Sequence, residues 1–206
     1  MGWKLAIVFV TSCPDKGYFA TFPRHDCNKA TQLVQELDLG PVTGFSFSSL
    51  EAGSVLKPRQ LAVGAYEDGA FISGEDLIGF AEGYKDGYKI LRHLWDRYST
   101  VFCFELGSAN DYAAYQFIES GRVVRKFVAD SECGAVCDEG ELLPEERAYL
   151  DKRGGRESRP ELSSLGEGLT FSISARFLGA EFDSFPLESL KGSLFRVGRP
   201  FWPFKK

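Results

Sequence analysis

Residues 4–12 run through Leu5, Ala6, Ile7, Val8, Phe9 and Val10 without a polar break, and Cys13-Pro14-Asp15-Lys16-Gly17 closes the run. An unbroken apolar stretch ended by turn residues predicts a strand buried on both faces, hence a central one. Ala30, Leu33, Val34 and Leu37 then recur at helical spacing over residues 28–39, with Asp26 or Asn28 as cap and Gly40-Pro41 as stop. This predicts a short amphipathic helix. Over residues 42–50, Phe45 and Phe47 alternate with serines, the period of a half-buried strand.

Two hairpins follow. Residues 61–72 are interrupted by Glu67-Asp68-Gly69, and residues 112–128 by Glu119-Ser120-Gly121, each a turn between apolar or aromatic runs. Between them, Leu77, Phe80, Ala81, Tyr84, Tyr88, Leu91, Trp95 and Tyr98 fall on one stripe of a helix over residues 75–98. Within it, Gly79, Gly83 and Gly87 recur at every fourth position, each costing roughly 1 kcal/mol against Ala in a helix interior. The row is either a groove for close packing or a break into two shorter helices. Residues 100–106 and 169–178 read as strands, 143–151 as a charged helix opened by Pro144, 186–191 as a short helix, and 130–142 as an acidic loop. The stretch 152–168 has no apolar period and marks a mobile loop or lobe boundary. The tail 195–204, with Phe201, Trp202 and Phe204, is expected to pack onto the body.

These elements predict an α+β fold, a mixed and mainly antiparallel sheet with packed helices, as one compact domain over 1–206 and with two related lobes as an option. The composition, 44% hydrophobic and 26% charged, belongs to a chain that folds unaided. The apolar run 5–10 is shorter than the roughly seven residues a secretory core needs. No stretch reaches the roughly 20 apolar residues of a spanning helix, so a cytoplasmic protein is expected. Five cysteines, an odd number spread over 206 residues, suit reduced thiols.

The formal net charge of −5 argues against nucleic-acid binding and suits a basic partner. Phosphate loops, dinucleotide-binding glycines, zinc-protease helices and serine elbows are all missing from the sequence. Of the two histidines, His25 lies with Cys13, Asp26 and Cys27 in the one tight group of soft ligands, in a spacing that matches no standard zinc unit. His93 sits beside the long apolar stripe, and Cys133 and Cys137 lie four residues apart. Asp130, Glu132, Asp138, Glu139, Glu141, Glu145 and Glu146 occur with no Lys or Arg among them. They form a solvated loop leading into a helix, an acidic face for a basic partner, or paired carboxylates for a hard cation.

Residues 111–146 carry Tyr112-Ala113-Ala114-Tyr115, the turn at Glu119-Ser120-Gly121, Arg125, and the run from Asp138-Glu139-Gly140-Glu141 through Leu142-Leu143-Pro144-Glu145-Glu146. This segment resembles uncharacterised bacterial proteins and carries no family chemistry. In profile, as a small, acidic, aromatic-rich chain without an enzyme motif, the protein resembles bacterial immunity proteins that neutralise a cognate toxin. That resemblance implies a binding protein rather than an enzyme, one that occludes the active site of a basic toxin with no cofactor, metal, nucleic acid or membrane. Asp138, Glu139 and Glu141 would supply the charge, and Tyr112, Tyr115 and Trp202 the aromatic anchors. The competing readings are an enzyme built on the Cys13, His25 and Cys27 loop and a domain that self-associates through the glycine row.

Overall fold

The computed structural model describes residues 4–13, 15–37, 41–54, 57–82, 85–153 and 165–198. The strands are β1 (Lys4–Thr11), β2 (Val42–Ser49), β3 (Gln60–Ala65), β4 (Gly69–Ser73), β5 (Thr100–Gly107), β6 (Tyr112–Glu119), β7 (Arg122–Asp130), β8 (Gly134–Gly140) and β9 (Lys191–Val197). They form one sheet in the order β2-β9-β3-β4-β1-β5-β6-β7-β8, and every described pairing is antiparallel. The unbroken apolar run therefore became the middle strand, as its two buried faces require.

Alternation along β1 divides the core. Ala6, Val8 and Val10 face one side, packed with α1 (Cys27–Glu36) and α3 (Lys85–Arg97). Ile7 and Phe9 face the other, under α2 (Leu50–Gly53), α4 (Pro144–Lys152) and α5 (Gly166–Leu178). On this second face Phe9, Phe102, Phe104, Phe117 and Phe177 form a continuous ring cluster. The fold is thus α+β, with helices on both faces of an antiparallel sheet.

Local chemistry accounts for the element ends. Asp26 caps α1 by accepting from the backbone N–H groups of Asn28 (2.8 Å) and Lys29 (3.1 Å). Ser120 and Gly121 both take positive φ (49° and 74°) between β6 and β7, the primed turn that matches strand twist. Gly179 ends α5 in the left-handed region, at φ 77°.

Four expectations change. Residues 169–178 are helical, in α5, because Leu169, Ile173 and Phe177 at every fourth position bury one face and override the local alternation. The stripe over 75–98 is not one helix: a 3₁₀ turn at Glu75–Leu77 and a loop to Glu82 precede α3, and Gly79 sits at φ 95°, outside helical space. The acidic loop instead contains β8, the last strand of the sheet. The short helix expected over 186–191 is a 3₁₀ turn at Leu187–Ser189, after which β9 begins. Phe195 of the aromatic tail is buried in β9, while Phe201, Trp202 and Phe204 lie outside the described residues, as do Gly83 and 154–164 of the boundary segment. Among the described residues no helix is long and apolar enough to cross a membrane.

Candidate functional site

The predicted acidic cluster is dispersed by the fold. Glu146, at the third position of α4, is fully buried and accepts Arg125 Nε at 2.9 and 3.1 Å, Tyr115 Oη at 2.5 Å and the Leu143 N–H at 2.6 Å. Arg125, only 1% exposed on β7, also donates from Nη1 to Asp138 Oδ1 (2.6 Å) and to the Glu139 carbonyl (3.0 Å). Burial opposes the guanidinium charge, but the neighbouring Tyr115 and Glu146 outweigh it and hold Arg125 protonated, above its ordinary range. This charge-compensated cluster locks α4 to the sheet. Glu145 is likewise neutralised, by Arg176 at 2.7 Å and Lys16 at 2.9 Å.

Three acids remain to face solvent around β8. Glu132 and Glu139 are exposed and make no ion pair among the described residues, and Glu141 is 95% exposed with Arg147 at 3.4 Å. Asp138 is half-exposed but already paired with Arg125. Val136, 64% exposed, lies between them on the same strand. Beyond the strand, Gly140, Glu141, Leu142, Arg147, Leu150 and Asp151 line an open groove of about 620 Å³. On its outer side β8 pairs with no described strand.

Neither of the two described aromatic anchors joins this edge. Tyr115 is fully buried on β6 against Phe127 and Glu146, so its ring belongs to the core and not to a partner surface. Tyr112 is half-buried on β6, two strands inward from β8, with its hydroxyl on Glu82 Oε1. Trp202 lies outside the described residues.

The Cys13, His25 and Cys27 group does not form a centre either. His25 ties β3 to β9: Nδ1 lies 3.2 Å from both the N–H and the carbonyl oxygen of Ala65, and Nε2 pairs with the Ser193 hydroxyl at 2.8 Å. Burial lowers its pKa. Among the described residues no three of His, Cys, Asp and Glu come together to hold a metal. All five thiols are free.

A second polar site lies where a strand was expected to be purely apolar. Glu105 of β5 is 2% exposed on the α1/α3 face. Its Oε1 accepts the Ala81 N–H at 2.8 Å, while Gln116 Nε2 donates to the Ala81 carbonyl at 2.8 Å. Lys126 Nζ holds the Glu82 carbonyl at 3.0 Å, and Tyr112 holds its side chain. Four side chains thus clamp the loop that leads to α3. Glu105 Oε2 is buried with no hydrogen-bond partner. Burial raises the Glu105 pKa to about 7; the N–H groups of Gly79, Ala81 and Phe80 pull it down and the Glu82 charge pushes it up. Beside it lies a cavity of about 220 Å³, lined by Lys4, Ile78, Glu82, Glu105, Leu106, Gly107, Asn110 and Tyr112. The one signal in the sequence was a lone carboxylate on the inward phase of a buried strand.

Among the described residues, a nine-stranded antiparallel sheet covered on both faces, with an acidic edge strand that no described strand covers and one buried carboxylate beside a cavity, defines the class of this protein. The chain belongs to DUF6928, a family of unknown function whose model matches residues 5–175. The match takes in β1 to β8 and most of α5 and stops short of β9. No curated protein and no solved structure matches the chain.

Proposed function

We propose that this protein binds a basic protein partner along the outer edge of β8, and that the partner is a toxin it neutralises in the cytoplasm. The observation that carries the reading is the open side of β8, flanked by Glu132, Glu139 and Glu141 with no neutralising residue on the strand itself. A strand added at such an edge gains main-chain hydrogen bonds, while its own Lys and Arg side chains meet the three carboxylates. Val136 offers the apolar contact. Free thiols at all five cysteines suit a reducing compartment. Asp138, committed to Arg125, contributes less than the expectation from sequence assigned to it.

The test is capture from the native host by the tagged full chain, beside an E132K/E139K/E141K variant. One stoichiometric basic partner is expected, retained by the wild type and lost by the variant. Expressed alone, that partner should arrest growth, and co-expression of the wild type should restore it. A partner held equally by the variant, or one without toxicity, overturns the reading.

A further inference from the structure

We propose that the cavity beside Glu105 is a binding site for a small primary amine in its ammonium form, held between Glu105 and Glu82. The argument starts from the orphan oxygen. A carboxylate oxygen buried without a partner costs about 1–3 kcal/mol or more, and native proteins seldom leave one so. Glu105 Oε2 is such an atom, 2% exposed as a residue, on a side chain that lines the cavity. Lys4 stands at the rim, exposed, and makes no ion pair among the described residues, so its own ammonium does not fill this role.

The lining selects the class of ligand. Two carboxylates within electrostatic reach of each other repel an anion and favour a cation. Asn110 and Tyr112 add polar atoms, and Ile78, packed on the same face of the sheet as Glu105, supplies an apolar surface for a short alkyl chain. Calcium and magnesium take six or more oxygen ligands, and zinc takes four from Cys, His and carboxylate groups. Among the described residues, Glu82 and Glu105 are the only carboxylates that line the cavity, and no group of three or more metal-holding side chains comes together. At about 220 Å³ the space suits a metabolite smaller than the roughly 300 Å³ lower bound of drug-sized pockets.

The experiment titrates the full chain with n-butylamine and follows backbone amide NMR shifts, with n-butanol and butyrate as matched neutral and anionic probes. Saturable shifts centred on Ala81, Glu105 and Gly107 are expected for the amine, weaker ones for the alcohol and none for butyrate. Glu105→Gln keeps an oxygen for the Ala81 N–H but removes the charge, and should weaken amine binding by about tenfold or more. Gly107→Ala narrows the cavity by a methyl group in ordinary contact with Tyr112 Cβ at 3.5 Å, and should weaken binding with every charge in place. It carries the test if Glu105→Gln does not fold. Absence of saturation up to millimolar amine, equal binding of butanol and butylamine, or wild-type affinity in both variants overturns the proposal.

Discussion

Glu105→Gln also makes a stability prediction independent of any ligand. In the folded protein burial holds the Glu105 carboxyl at about 7, against an ordinary value of 4.5. The folded state therefore binds this proton more tightly than the unfolded chain does. Its contribution to stability is complete below about pH 4.5, declines as pH rises, and is gone above about pH 7. At 1.36 kcal/mol per pH unit, the gap corresponds to about 3 kcal/mol between the acidic and alkaline limits. The groups facing Glu105 are Glu82 from the covering loop, Cys103 on its own strand, Gln116 and Tyr112 from β6, and Lys4 from β1. Of these, the Cys103 thiol, which burial pushes well up, stays neutral across the window. Glutamine is neutral throughout, so the difference in unfolding free energy between variant and wild type isolates the carboxyl. Urea unfolding followed by tryptophan fluorescence, at intervals from about pH 5 to about pH 8, should show the variant gaining about 2.5 kcal/mol on the wild type as pH rises. A difference that stays constant with pH would refute a buried carboxyl of raised pKa.

Two further outcomes test the frame around the candidate sites. Glu146→Ala leaves the buried Arg125 guanidinium with half-exposed Asp138 as its remaining ion partner and should cost about 3–5 kcal/mol in equilibrium unfolding; a loss under about 1 kcal/mol would show that Asp138 alone compensates the charge. Alkylation of the native protein, read by peptide mass spectrometry, should label exposed Cys133 first and leave Cys103 unmodified until unfolding, since Cys103 is buried and its thiol pushed well up. Early labelling of Cys103 would contradict the packing of β5.

Much of the frame was legible in the chain. The middle strand announced itself by six successive apolar residues, α1 by its spacing and cap, and both hairpins by their turn residues. β8 was not, because Gly134, Asp138, Glu139 and Gly140 are poor strand formers, and a charged edge strand carries no alternating apolar signature. In α5 two periods coexist: Leu169, Phe171 and Ile173 alternate, while Leu169, Ile173 and Phe177 repeat every fourth residue. Only packing against the sheet decides between them. Glu105 was visible as one acid in an apolar strand. Its loop cover, supplied by Gly79 to Glu82, was not, because Phe80 and Ala81 also fit the helical stripe that Gly79 interrupts. Which acids of the cluster stay open to solvent was not legible for a similar reason: Lys16, Arg125 and Arg176, which pair with Asp138, Glu145 and Glu146, lie outside the stretch and meet it only through tertiary contacts.

The position of β9 governs the order in which this protein can be assembled. β2 pairs with no described strand other than β9, and β9 also covers the open side of β3. During synthesis β2 leaves the ribosome long before residues 191–197 do, so for most of translation it has nothing to bond with. One flank of the sheet stays unfinished until the last described strand threads between two of the earliest. Such a long-range closure is slow, and a ribosome that stalls before residue 191 releases a chain with two frayed strand edges instead of a shortened but finished sheet.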